Sequence, residues 1–232
     1  MAEFAYIGQE LEIFAQAVNW KRYFARYIAP YLRGDVLEVG AGIGANRQIF
    51  AHLDFQRWTS LEPDRRLLEQ LRDSLPDCTR CEPVAGTLED LPGRSFDAIL
   101  YLDVLEHIED DSAELRRAAE HLKPGGALIV LAPAHAWLFT PFDAAVGHFR
   151  RYTRRTLAAA APAGLRLEKL IYLDCAGLAA SLSNRLILKR AIPSSAQIQT
   201  WDRIIVPVSR LLDPLLGYRA GKSVLGIWRR AM

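Results

Sequence analysis

A chain of 232 residues, 50% hydrophobic and 24% charged, is long enough for one globular domain with a full core. Its formal net charge of +2 excludes a global field that would gather nucleic acid. No window reaches about 18 uninterrupted apolar residues, so no membrane-crossing helix is expected. Cys78, Cys81 and Cys175 make an odd number, and Cys78-x-x-Cys81 has metal or redox spacing without a second pair. They read as reduced thiols of a cytoplasmic protein. Met1 runs straight into acidic and aromatic residues, with no basic region of the secretory kind.

Leu11, Phe14, Ala15, Val18, Tyr23 and Phe24 recur at helical spacing, which predicts a helix over Glu10 to Tyr27, ended by Pro30. This helix precedes the first strand and is expected to lie across a ligand mouth. Asp35 to Val39 is a short apolar run of strand type that empties into Gly40-Ala41-Gly42-Ile43-Gly44. Ala45 to His52 then reads as helix. Glycines let the backbone approach a ligand without Cβ obstruction, and a helix start offers unpaired N–H groups. Glu62 follows Gly42 by twenty residues at the end of the next apolar run, where an acid can hold ribose hydroxyls. Dinucleotide sites use G-x-G-x-x-G with a pyrophosphate on the helix dipole. Here the spacing is G-x-G-x-G, and Glu38 before it would repel a pyrophosphate but suits an ammonium or sulfonium.

The stretch Glu38-Val39-Gly40-Ala41-Gly42-Ile43-Gly44 resembles motif I, E/D-x-G-x-G-x-G, of the class I S-adenosylmethionine-dependent methyltransferases. The resemblance implies S-adenosyl-L-methionine as cofactor and S-adenosyl-L-homocysteine as product. Glu38, Gly40, Ala41, Gly42, Gly44, Glu62 and Pro63 would hold it, and Tyr23 would either close over its methionine end or, with Trp20, pack on the sheet edge. After a helix over Arg65 to Leu75 and a strand over Arg80 to Ala85 comes Gly86-Thr87-Leu88-Glu89-Asp90-Leu91-Pro92. Family members commonly carry an acid where Thr87 stands. The departure leaves Leu88 against adenine and Glu89 as its polar contact, or Thr87 and Glu89 as a helix cap.

Phe96 to Tyr101 reads as a buried strand. Leu102-Asp103-Val104-Leu105-Glu106-His107-Ile108 after it resembles the V-L-E-H-I segment of small-molecule methyltransferases. Asp103 would face the methionine portion, and His107 reads either as a proton acceptor, by its reach and pKa, or as a capping or packing residue at a helix start. A helix over Ser112 to Leu122, the turn Lys123-Pro124-Gly125-Gly126 and a strand over Ala127 to Leu131 complete the resemblance. Specificity is expected in Ala134 to Tyr152, with Trp137, Phe142 and Tyr152 as aromatic contacts. Its end, Gly147-His148-Phe149-Arg150-Arg151-Tyr152-Thr153, is similar to a G-H-x-R-R-Y-T run of one bacterial methyltransferase group. His148 is a second candidate base. Arg150 and Arg151 read either as anion ligands or as a solvated approach to a helix over Thr153 to Ala160.

Leu165 to Tyr172 alternates as a sixth strand, and Ser223 to Arg229 reads as the last, antiparallel to it. Some fifty residues intervene, apolar from Gly177 to Ile192 and then broken by Pro207 and Pro214, far beyond an ordinary loop. They read as extra core, as a lid over an apolar substrate, or as a membrane or homodimer contact.

The expected fold is an α/β, seven-stranded, doubly wound Rossmann-like methyltransferase sheet with a helical insertion before the last strand. One domain fills 1–232: a helical cap over 1–33, a cofactor-binding core over 34–172, an insertion over 173–221 and the last strand over 222–232. The expected function is O-methylation of a small or lipid-like metabolite with an anionic or hydroxylated end, without metal or nucleic acid. The alternatives are N- or C-methylation on the same fold, or a nonenzymatic association module. The expected location is cytoplasmic, with 173–221 as any membrane-peripheral contact.

Overall fold

The computed structural model describes residue 6 and residues 11–75, 78–183 and 194–232. Its strands are β1 (Gly34–Val39), β2 (Phe55–Glu62), β3 (Cys81–Ala85), β4 (Phe96–Leu102), β5 (Leu122–Pro133), β6 (Leu165–Leu173) and β7 (Ser223–Arg230). They form one sheet in the order β3-β2-β1-β4-β5-β7-β6. The first five are mutually parallel, and β7 runs antiparallel between β5 and β6. β4 and the second half of β5 are near-continuous apolar runs because a central parallel strand is covered on both faces. Successive residues alternate between two cores. Val36, Leu100 and Ile129 pack with α2 (Val18–Ile28), while Leu37, Ile99 and Leu128 pack with α4 (Asp111–Glu120) and α6 (Arg154–Ala160). The winding reverses between β1 and β4, which opens a crevice at their carboxyl ends.

Three local expectations are corrected. The described part of the N-terminal helix is two pieces, α1 (Leu11–Ala15) and α2, because the buried Lys21 ammonium takes the Phe14 and Ala15 carbonyls that a continuous helix would use. After the glycines there is no α-helix but one 3₁₀ turn, Arg47–Phe50. Asn46, placed to cap a helix, donates its amide to Glu38 at 3.1 Å instead. Cys78 and Cys81 are joined as a disulfide rather than standing as thiols, their Cα atoms 5.3 Å apart, and Cys175 is free and buried.

Between β6 and β7 lie α7 (Cys175–Ser183), α8 (Ser195–Thr200), a π-helical turn (Trp201–Ile205) and α9 (Val206–Leu215). The apolar stretch expected up to Ile192 runs into 184–193, outside the described residues. Three buried aspartates tie this insertion down. Asp213 accepts from the Tyr23 hydroxyl at 2.7 Å and from the backbone N–H groups of Asp174 and Cys175. Asp174 accepts from Trp201 Nε1 at 2.7 Å, from the Ser209 hydroxyl and from Gly177 N–H. Asp202 accepts from the N–H groups of Asn19 and Trp20, which are otherwise orphaned at the start of α2.

Tyr23 therefore does not close over the cofactor end of the crevice: it is fully buried and its hydroxyl points into the insertion. Removing one hydroxyl and removing the shared acceptor should differ. Tyr23→Phe is expected to cost about 1 kcal/mol, and Asp213→Ala, which orphans three donors, on the order of 3 kcal/mol or more. Urea unfolding of the two variants measures it, and equal costs would show that Asp213 is not the shared acceptor.

Candidate active site

At the carboxyl ends of β1 and β4 the glycine turn opens on a cavity of about 1120 Å³. Its floor includes Gly40, Ala41, Gly42 and Asn46, its back wall Asp103, Glu106, His107 and His148, and its roof Ile198, Trp201 and Ile205 of the insertion. The glycines have separate reasons. Gly40 has φ +64°, and a Cβ there would meet Val104 at 2.7 Å, so the fold itself requires it. A Cβ on Gly42 would approach only the Leu11 side chain, at 3.7 Å, so the space above it is open for a ligand.

Glu62 holds this turn in place. Its two oxygens accept from Gly42 N–H at 2.8 Å and Asp64 N–H at 2.9 Å, and each keeps a lone pair for a hydroxyl donor. Burial pushes its carboxyl above the usual range. Glu38, 1% exposed, accepts from Asn46 and from Trp58 Nε1 at 3.2 Å, and burial pushes it up to about 7. These placements fit a cationic, hydroxyl-bearing ligand.

The next loop does not. Thr87 and Asp90 form a capping box on the 3₁₀ turn Leu88–Asp90, Glu89 pairs with Arg117 at 2.9 Å, and Leu88 is 1% exposed within the core. None of these three, nor Pro63 or Glu62, lines the cavity, and Tyr6 forms the wall on that side. Its N–H donates to Asp64 at 2.7 Å and its ring meets His107 edge-on at 5.6 Å.

The two histidines, read separately as candidate bases, come together with ring centroids 4.5 Å apart. Burial and the neighbouring His148 bring His107 down to about 4, so it is neutral at pH 7. His148 Nδ1 lies 2.9 Å from Asp143 Oδ1, which leaves Nε2 toward the cavity and 3.9 Å from Glu106 Oε1. Asp143 is fully buried. Burial alone would raise its carboxyl, but His148, the Arg151 fork at 2.7 and 2.9 Å and Thr140 hold it well below the usual carboxylate range. Sequence reasoning missed this aspartate. The available signal was the capping-box spacing of Thr140 and Asp143 at the start of α5 (Pro141–Ala145).

Asp103 adopts φ +55° and stands in the cavity, surrounded by protein yet reachable by solvent from inside it. Burial raises it to about 6 against the pull of His148, Lys21 and Lys222. Glu106 is pushed well above its ordinary range by burial and by Asp103, and its Oε2 has no partner among the described residues. Glu106, His107 and His148 each place a ligating atom within 4.8 Å of the others, a set that could hold a metal ion.

The arginine pair is otherwise engaged. Arg151 lines the cavity but is clamped on Asp143, and Arg150 pairs with Asp111 at 2.8 Å away from the lining. Tyr152 is buried on Asp111, Trp137 is 48% exposed outside the lining, and Phe142 alone of the expected aromatics faces the cavity. The cation that sequence reasoning overlooked is Lys222. It lines the cavity at the end of the insertion, its ammonium 4.7 Å from the centre of the Trp201 ring. It has no ion pair or side-chain hydrogen bond among the described residues, and burial lowers its pKa. Nothing local in Gly221-Lys222-Ser223 marked it.

Glu38 gives a pH signature. Its folded value of about 7 lies above the unfolded value, so its contribution favours folding below about pH 4.5 and is lost as pH rises through 7. Glu38→Gln, which removes that titration while keeping an acceptor for Trp58, should gain on wild type by on the order of 3 kcal/mol between pH 4.5 and 8. Denaturant midpoints at the two pH values test this, and a difference independent of pH would refute it.

Residues 37–128 match a protein-family model described as a methyltransferase domain. The demethylmenaquinone methyltransferase of Tropheryma whipplei (strain Twist) is 32% identical over 166 residues, 69% of this chain and 62% of that protein. The ubiquinone biosynthesis O-methyltransferase of Xanthomonas campestris pv. campestris (strain B100) is 36% identical over 111 residues, 46% of this chain and 45% of that one. The chain thus spans less than two thirds of the length of either relative. A putative methyltransferase of Haloferax volcanii, solved in complex with the Trm112 methyltransferase activator, superposes with a TM-score of 0.65 at 18% identity. That superposition covers 97% of this chain and 98% of the other, and it shows a shared fold. The sheet order, the glycine turn and the methyltransferase-domain match over residues 37–128 are together those of a class I S-adenosylmethionine-dependent methyltransferase domain.

Proposed function

We propose that this chain methylates an oxygen of a small, largely apolar acceptor held beneath the insertion, with His148 as the base. The observation that carries the reading is the His148–Asp143 pair, which fixes the imidazole by Nδ1 and leaves Nε2 free on the cavity side. S-Adenosylmethionine, when bound, supplies an electrophilic methyl group on a sulfonium. The chain's share is placement: Gly42 leaves room, Glu62 holds the glycine turn from behind through the Gly42 N–H, and Asp103 offers a counter-charge at the back of the crevice.

The acceptor oxygen bonds to the methyl carbon as the carbon–sulfur bond breaks, its electron pair remaining on sulfur. The acceptor's proton passes to Nε2 of His148. Asp143 is then a positioning residue, since it orients the ring and stabilises the imidazolium that forms. Arg151 in turn holds Asp143 ionised. Lys222 supports an acceptor with an acidic oxygen, because a cation over an apolar pocket steadies a phenolate-like or carboxylate group. Of the relatives, one is named for O-methylation in ubiquinone biosynthesis, which supports oxygen as the acceptor atom, while the name of the other, a demethylmenaquinone methyltransferase, does not specify the atom.

A second reading is favoured by the unpartnered oxygen of Glu106. A divalent cation on Glu106, His107 and His148 would polarise the acceptor oxygen, and His148 would then not act as the base. Chelation separates the two: turnover that survives it supports His148 as base, and loss restored by a divalent ion supports the cation.

With radiolabelled S-adenosylmethionine and an alkyl-tailed hydroquinone or phenol as acceptor, His148→Ala should lower kcat about 10²- to 10⁴-fold, and Asp143→Asn should lower it in the same direction. Full turnover in His148→Ala would sink the general-base reading. Lys222→Met should raise KM for acidic acceptors about tenfold or more while leaving kcat close to wild type. Unchanged KM would remove Lys222 from the acceptor site.

A further inference from the structure

The insertion has two apolar faces, and the cavity explains only one. Ile198, Trp201 and Ile205 line the cavity, and Val206, Ser209 and Asp213 are buried inward. On the other side, Ile204, Val208, Leu211 and Leu215 form a stripe at i, i+4, i+7 and i+11, with Leu212 and Leu216 beside it. Leu211 is 73% and Leu215 81% exposed, values for large side chains that touch almost nothing. A helix apolar on both sides is normally buried on both, so an outer surface of this kind marks a contact.

The charges select the occupant. The exposed charged residues over 202–219 are Arg203, Arg210 and Arg219, whereas the acids of the same stretch, Asp202 and Asp213, are 4% and 0% exposed and engaged inward. The outward face is therefore apolar with a purely cationic rim. Two copies of this chain meeting through it would set arginines against arginines. A bilayer bearing anionic headgroups offers an apolar interior and a negative surface to the same face at once. No helix among the described residues is long and apolar enough to cross a membrane, so any contact by this face is in-plane.

We propose that the outer face of α9 and the π-helical turn before it dock on the surface of an anionic lipid bilayer, with Leu211 and Leu215 inserted among the headgroups. The face is separate from the cavity residues, so docking stands whether or not the methyl-transfer reading does. It would also bring the roof of the cavity to the membrane surface, where an apolar acceptor resides.

Flotation of the whole protein with phosphatidylglycerol–phosphatidylcholine vesicles, against phosphatidylcholine alone, is the test. Wild type should float with the anionic vesicles and lose binding as salt is raised. Leu211→Glu with Leu215→Glu should reduce partitioning more than about tenfold, and Arg203→Gln with Arg210→Gln should reduce it while flattening the salt dependence. Circular dichroism and S-adenosylmethionine binding unchanged from wild type would confirm that the variants are folded. Wild type that stays in solution with anionic vesicles overturns the proposal. So does a dimer in sedimentation equilibrium that the glutamate pair converts to monomer, since the face would then belong to a second copy.

Discussion

Asp213 has no exposed surface, and three donors from two distant places in the chain converge on its carboxylate: the Tyr23 hydroxyl and the N–H groups of Asp174 and Cys175. A buried carboxylate without partners would cost several kcal/mol, so this residue is tolerable only in the arrangement seen. Asp174 and Asp202 obey the same constraint, the first through Trp201 and Ser209, the second through the start of α2. The insertion is apolar over most of its length, and apolar packing alone is indifferent to direction. Hydrogen bonds to fixed carboxylates are not. They set α7, α9 and α2 at one separation, and the cavity is the space that this separation leaves above the carboxyl ends of β1 and β4.

The same economy of means appears at the catalytic wall. Asp143 gathers Thr140, His148 and Arg151, so a single anion decides both the direction of the imidazole and the fate of the arginine. Arg151 is close to the cavity yet unavailable to an acceptor, because leaving Asp143 would strand a buried charge. Lys222 faces the opposite situation. It has an aromatic ring beneath it and no anion in contact, which leaves it receptive to one brought by a ligand.

The strands and the glycine turn were readable because their causes are local: apolar runs, positive-φ glycines and the spacing from Gly42 to Glu62; the doubly wound arrangement followed only from the resemblance. The partners of polar side chains were not. Tyr23, Arg150 and Arg151 are residue types that bind ligands, and here each is satisfied by an acid that only the fold brings near, Asp213, Asp111 or Asp143. Thr87 is different, since its capping box with Asp90 spans three residues and was legible as the alternative to an adenine contact. The predicted helix after the glycines failed for a tertiary reason, Asn46 being drawn to a glutamate on β1. Lys222 escaped notice because it sits in no recognisable motif, and Asp143 because its capping-box spacing with Thr140 points only to a helix start; the importance of both comes from what they face.

Glu38 and Asp103 give the crevice its chemical bias. Both are raised by burial, to about 7 and about 6, so at pH 7 Asp103 in the cavity is mostly ionised, whereas Glu38, enclosed beneath the glycine turn, is held only partly as an anion. Their hydrogen bonds and neighbouring cations offset only part of the cost of removing the charge from water. A ligand that brings positive charge into the crevice supplies what is missing, since it lowers both values and converts a desolvation cost into an attraction. A neutral ligand of the same shape would leave the cost standing. The selectivity of this cradle for a sulfonium over its neutral thioether would therefore reside less in any one contact than in two acids that the fold leaves incompletely compensated, and release of the methylated product's partner follows from the same imbalance once the charge is gone.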